Sequence, residues 1–272
     1  MQLRETAKPI QKRAWSALGL GIAGALLAPG AFAEPLDEAL YARVLSRHTR
    51  EVTDTARTRV DYRGLAHSED WSRLVAGLAR ADPAALDGRG ERIAFWINAY
   101  NILTIDLVVR NYPVDSIRDI GSLFRPVWKR RAGTVGGRAY SLDHIEHEIL
   151  RPLAEPRIHA AIVCASISCP ALRREPWSAA KLEAQLDDAL RRWLADREKG
   201  LRIDPTSRTI YLSRVFDWFA EDFESRGGVL AFLAPYMGER DRAWTRRNGA
   251  RARIEYLDYD WRLNDLAGGE AS

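Results

Sequence analysis

The stretch from Glu91 to Arg110 constrains the fold more than any other. Between Ile93 and Val109 it is apolar on nearly every side at helical spacing, and Pro113 stops it. A helix without a polar face has to be surrounded by protein, so the rest of the chain must wrap it. Its two interior amides, Asn98 and Asn101, are read as ties from the helix to neighbouring loops. The rings of Trp96 and Tyr100 are read as core filling.

Other elements follow from periodicity and turn chemistry. Leu36, Leu40, Val44, Leu45 and Val52 suggest an amphipathic helix, and Trp71, Leu74, Val75 and Leu78 repeat the pattern before Asp82-Pro83. Residues 34–88 are therefore expected to be a helical lead-in packed on a main domain at 89–266, with a disordered tail at 267–272. Gly136-Gly137, flanked by Thr134-Val135 and Arg138 to Tyr140, marks a hairpin. Ser141 is placed to cap a helix running to Leu150, with Asp143 favourable to its dipole and Pro152 closing it.

Ile158 to Val163 reads as a short buried strand, and Lys181 to Leu194 as a helix. Leu201 to Ile203 and Thr209 to Leu212 bracket a second hairpin. Phe216, Phe219 and Phe223 stripe a helix ending at Gly227-Gly228, and Ile254 to Asp258 reads as a last strand. Helices and strands in mixed order, without a regular strand-helix-strand repeat, predict an α+β fold: a central buried helix on a small, largely antiparallel sheet.

The first 33 residues have the pattern of a secretory signal. Arg4, Lys8, Lys12 and Arg13 precede an apolar run from Ala14 to Ala28 that is short for a membrane span, and Ala31-Phe-Ala33 supplies a cleavage site. Neither a twin-arginine pair nor a lipidated cysteine is present, so ordinary export to the periplasm or medium is expected, with no membrane span after cleavage. Losing four basic residues and one acidic residue brings the formal charge from +4 to +1. With both signs mixed through the remainder, no nucleic-acid partner is expected. The partner is instead expected to be a small-molecule or peptide substrate.

Both cysteines, Cys164 and Cys169, and one of five histidines, His159, lie within eleven residues. On a regular strand His159 and Cys164 would point apart, whereas Cys169 lies beyond it and precedes Pro170, which suits the first turn of a helix. A thiol capping such a turn, with an imidazole nearby, is how a cysteine nucleophile is activated. The candidate catalytic set is thus Cys169 with His159 or His147 as base, the former favoured, and Glu146, Asp258 or Asp260 to orient the imidazole. Two alternatives stay open: a Cys164–Cys169 disulfide, which an oxidising compartment favours, and a His/Cys metal site using His144 and His147. The spacing of the last two is not that of a zincin helix. Glu146, His147 and Arg151 can equally be a structural ion cluster. No cofactor is implied.

The elements Phe95-Trp-Ile-Asn-Ala-Tyr-Asn101, Glu146-His-x-x-Leu-Arg151, Ser168-Cys-Pro-x-Leu172, Val215 to Phe223 and Tyr259-Asp-Trp-Arg-Leu-Asn264 occur in this order. Together they resemble the bacterial family catalogued as domain of unknown function 547, from about Glu91 to Asn264. The resemblance implies a shared Ser-Cys-Pro motif but brings no activity with it. By architectural analogy, papain-like and transglutaminase-like folds carry a cysteine site where a packed helix meets an antiparallel sheet. This chain has Asn98 and Asn101 where those enzymes place cysteine. The function expected is cysteine-dependent hydrolysis or acyl transfer on amide or peptide bonds of the cell envelope. The alternatives are a non-enzymatic envelope protein binding a ligand or partner, and a metal-binding module.

Overall fold

The computed structural model describes residues 35–122 and 124–268. The expected signal segment, and the end of the expected tail, lie outside them. The chain opens with α1 (Glu38–His48), capped by the Asp37 carboxylate, which accepts from the Leu40 amide at 2.8 Å. A two-stranded antiparallel ribbon follows, β1 (Thr49–Glu51) with β2 (Thr58–Val60), then α2 (Tyr62–Ala66) and α3 (Glu69–Arg80). The apolar faces of α1 and α3 enter one core with α4 (Arg89–Asn111), on which every residue from Ile93 to Val108 is buried. By length and composition α4 could cross a membrane, but here it is enclosed by protein.

Asn98 and Asn101, three residues apart and on one side of α4, explain how an all-apolar helix holds irregular chain against it. The Asn98 amide donates to the Trp177 carbonyl at 2.7 Å and accepts from the Trp177 N–H at 3.0 Å. Asn101 does the same with the Ala161 carbonyl, at 3.0 Å, and the Val163 N–H, at 2.9 Å. Each amide thus stands in for a missing strand neighbour, satisfying backbone groups that would otherwise be buried unpaired.

The strand expected at Ile158 to Val163 is not formed, and this is the physical reason. The segment is a 3-10 turn (Pro156–Ala160) followed by extended chain pinned to Asn101. Small and β-branched residues fit buried irregular chain as well as a strand, so composition could not separate the two.

The hairpin β3 (Arg131–Val135) with β4 (Arg138–Ser141) pairs Val135 with Arg138, leaving a two-residue turn. Gly136 and Gly137 sit at φ of 55° and 75°, the left-handed pair that such a turn demands. Ser141 accepts from the His144 amide at 3.1 Å and starts α5 (Leu142–His144). Instead of continuing as an α-helix to Leu150, the chain widens into a π-helical turn at Ile145–Leu150 and tightens to a 3-10 turn at Arg151–Leu153. Pro152 has no N–H to carry the regular ladder on, and π turns are common where side chains must be re-aimed at a site.

The C-terminal half holds α6 (Leu182–Ala195) and the strands β5 (Leu201–Asp204) and β6 (Thr209–Leu212). Then come α7 (Val215–Trp218), a 3-10 turn at Ala220–Arg226, α8 (Val229–Leu233), α9 (Glu239–Asn248) and β7 (Arg253–Tyr256). The phenylalanine stripe is thus carried by α7 and the 3-10 turn together, and it ends at Gly227 and Gly228, as expected. The class is α+β with a long buried helix. Among the described residues its strands form three small sheets instead of one, and β7 joins β6 in parallel beside the antiparallel β5–β6 pair.

Candidate functional site

The last segment of the chain builds one wall of the site. Tyr259 to Asn264 runs antiparallel to the loop after Cys164: Ile167 donates to the Arg262 carbonyl at 2.9 Å, Asn264 to the Ala165 carbonyl at 3.0 Å, and Asp260 N–H to Ser168 Oγ at 2.8 Å. This pairing turns Tyr259 and Trp261 toward the cysteines. They join Trp218 and Trp128 in a contiguous aromatic cluster, with centroids 4.5 Å apart for Tyr259–Trp261, 5.7 Å for the stacked Trp218–Trp261 pair and 6.1 Å for Trp128–Trp261. Trp218 is 46% exposed, the largest open apolar surface near the cysteines.

Behind these rings lies a cavity of about 170 Å³. Both cysteines line it, together with Tyr100, Glu146, His147 and His159. All four residues expected to be catalytic therefore face one space, although they come from α4's partner loops and the π turn and are up to 23 positions apart in sequence.

His159 is buried, stacked on Phe219 at 4.3 Å, and its Nε2 lies 2.7 Å from Asp222 Oδ2. Burial pushes the imidazole down toward its neutral form despite this carboxylate. Burial alone would raise the Asp222 carboxyl, but hydrogen bonds from His159 and Arg151 hold it well below the ordinary range. The Arg151 guanidinium grips it from Nε at 2.9 Å and Nη2 at 2.7 Å. An ionised Asp222 thus accepts from His159 Nε2–H, leaving Nδ1 as the free lone pair. That nitrogen is 3.9 Å from Glu146 Oε1.

Glu146 is a buried carboxyl on the cavity wall. Burial raises its carboxyl to about 7, against the opposing hydrogen bond from Tyr100 and the charge of Arg151. A carboxylic acid tuned near neutrality can both give and take a proton, which is what general acid–base work requires. His147 is less free: Arg151 Nη1 donates to its Nδ1 at 2.7 Å, which leaves the ring proton on Nε2.

The cysteines take one of the alternatives left open by the sequence and depart from the expectation in which sulfur is exposed. They are joined as a disulfide, with Cα atoms 6.1 Å apart. Cys169 is the buried one, at 5% exposure, while Cys164 is partly open to the cavity. Cys169 is not the accessible sulfur, because neither the strand before it nor the helix after it forms. Instead, residues 166–169 make a tight turn, and Cys169 Sγ accepts the Cys164 N–H at 2.8 Å. Cys164 Sγ lies 3.0 Å from Ser166 Oγ and 3.2 Å from the Tyr259 hydroxyl.

Asp258 and Asp260 do not orient an imidazole. Asp258 is exposed, and Asp260 is bound to Arg262 and accepts its N–H at 2.9 Å. That role falls to Asp222, visible in the sequence only as a carboxylate beside the phenylalanine stripe. Tyr100 and Tyr259, read as core and anchor, also reach the site. The suggested metal set is not assembled: His144 packs on Tyr140, and one nitrogen each of His147 and His159 is engaged by Arg151 and Asp222. Among the described residues no three histidine, cysteine, aspartate or glutamate side chains are arranged to hold an ion.

No curated protein and no solved structure matches this chain. Its α4 helix, the π turn with Glu146 and the cysteine loop all fall in the segment matched by a family model, whereas the Asp222 and Tyr259 elements lie beyond it. Residues 83–194 match the model described as "Protein of unknown function, DUF547", and the chain carries a domain of that family.

Proposed function

We propose that this cavity performs acyl transfer or amide hydrolysis with a cysteine nucleophile, in a protein exported to the periplasm or medium. The observation that carries this reading is the meeting of Cys164, His159 and Glu146 in one cavity, with His159 oriented by Asp222 at 2.7 Å. Nucleophile, base and orienting carboxylate are the components such chemistry needs. Cys164 is the nucleophile by its exposure, once the disulfide is reduced. Glu146 delivers the proton to the leaving amine or withdraws one from water, and Tyr259, 3.2 Å from Cys164 Sγ, is in position to donate to the sulfur. The N-terminal pattern of basic, apolar and small residues supports export, and the disulfide is consistent with an oxidising compartment.

The test is turnover of a panel of activated esters and peptide anilides by the reduced and the oxidised protein, with Cys164→Ser as control. The reading expects turnover from the reduced protein alone and a covalent acyl adduct on Cys164. Equal turnover by Cys164→Ser overturns it.

A second reading, ligand binding without turnover, is favoured by one specific observation: the aromatic cluster around Trp218 presents flat apolar surface beside a closed disulfide. It expects the oxidised protein to bind and never to turn over.

A further inference from the structure

We propose that Cys164 and Cys169 are a reversible redox couple that exchanges with an external dithiol, so the cavity carries thiol–disulfide exchange beyond any acyl chemistry. Three observations bear on it independently of the acyl reading.

The first is access. A staple that only holds a fold is sealed in the core, whereas both sulfurs line the open cavity and Cys164 is partly exposed.

The second is redundancy. The loop between the cysteines is already tied by Ile167 to Arg262, by Asn264 to Ala165, by Ser168 to Asp260 in both directions, and by Lys199 Nζ to the Ile167 carbonyl at 3.2 Å. Asn101 holds the chain just ahead of it. With a sequence separation of 5, the cross-link closes a very short loop and removes little freedom from the unfolded chain. The fold therefore does not depend on the bond staying closed.

The third is that each sulfur has hydrogen-bond donors waiting. The Cys164 N–H points at Cys169 Sγ, and the hydroxyls of Ser166 and Tyr259 face Cys164 Sγ. A thiolate released on either side is met by a donor at once, which favours the charged leaving group. Ala165, between them, sits at φ 61°, a left-handed conformation unfavourable for any residue with a Cβ, and such strain gathers at sites that change state.

The chemistry is balanced. A thiolate of the dithiol attacks Cys164 Sγ, the exposed atom. The Sγ–Sγ bond breaks, and Cys169 leaves as a thiolate bonded to the Cys164 N–H. The second thiol of the reductant then attacks its own sulfur in the mixed disulfide and releases Cys164. Two electrons and two protons pass to the cysteines, and the dithiol becomes a disulfide.

The experiment uses the folded wild-type protein, with dithiothreitol as probe, alkylation quench and intact mass as readout, and circular dichroism to confirm that it stays folded. The native bond is expected to open at a rate within about tenfold of that in urea-unfolded protein. Under glutathione disulfide, Cys169→Ser should form a mixed disulfide at Cys164 at least about tenfold faster than Cys164→Ser does at Cys169. Reduction that occurs only on unfolding overturns the proposal and needs no variant to show it. If the bond resists dithiol in the native state while protein refolded in reductant still transfers acyl groups, only the exchange proposal fails. If exchange proceeds and no ester is turned over, only the acyl reading fails.

Discussion

Replacing Glu146 by glutamine should change how stability depends on pH, and the sign follows from burial. In the unfolded chain the carboxyl ionises near 4.5, and in the fold burial holds the proton until about 7. The folded state therefore binds more protons across that interval, and wild-type stability falls as pH rises through it. One decade of proton affinity is worth about 1.4 kcal/mol, so the loss accumulates to about 3 kcal/mol by pH 8. Glutamine keeps the volume and the contact with Tyr100 but cannot ionise. The difference in unfolding free energy between Glu146→Gln and wild type should therefore shift in favour of the variant by about 2 to 3 kcal/mol between pH 4.5 and pH 8, whatever constant offset the amide introduces. Urea denaturation at half-unit pH steps, with the slope against urea checked for constancy, measures it. A difference that stays flat across this range, or moves toward wild type, would refute the claim that Glu146 is kept protonated by its surroundings.

Asp222→Asn removes the charge that Arg151 and His159 share and should cost about 2 to 3 kcal/mol at pH 7, lowering the melting temperature by about 5 to 10 °C. Because the folded Asp222 carboxyl is depressed, this advantage is present above about pH 4 and shrinks as pH falls further, which a melting series in acid would show. Asn101→Ala strands the Ala161 carbonyl and the Val163 N–H inside the core and should cost about 2 to 4 kcal/mol by urea denaturation, with faster amide exchange at 161–164 as the local signature. A methyl added by Gly133→Ala, on a half-buried strand, would collide with the buried Leu103 side chain, so this change should cost about 1 to 3 kcal/mol instead of being neutral.

The fold was legible where one segment carries its own instruction. α4 declares itself because no face of it is polar, and the β3–β4 turn because two glycines in succession tolerate left-handed backbone. It was illegible where a partner far along the chain decides the outcome. Ile158 to Val163 looks like a strand until the Asn101 amide, far earlier in the chain, captures its backbone. The candidate site was readable through its unusual residues, since two cysteines and a histidine in eleven positions stand out. Its electrostatics were not. Asp222 is one acidic residue among 37, and only the approach of the 3-10 turns at Arg151–Leu153 and Pro156–Ala160 to the one at Ala220–Arg226 shows that it faces His159 and Arg151. Likewise, the choice between Cys164 and Cys169 depends on which sulfur opens to the cavity, and the turn at 166–169 sets that.

The most direct test of the account is the site and speed of alkylation in the native, reduced protein. With iodoacetamide in limiting amount and peptide mapping of the product, Cys164 should be labelled at least about tenfold faster than Cys169, and His159→Gln should slow that labelling near neutral pH while leaving the protein folded. Faster labelling of Cys169, or a Cys164 rate indifferent to His159 and no greater than that of the unfolded chain, would contradict the assignment of Cys164 as an activated nucleophile.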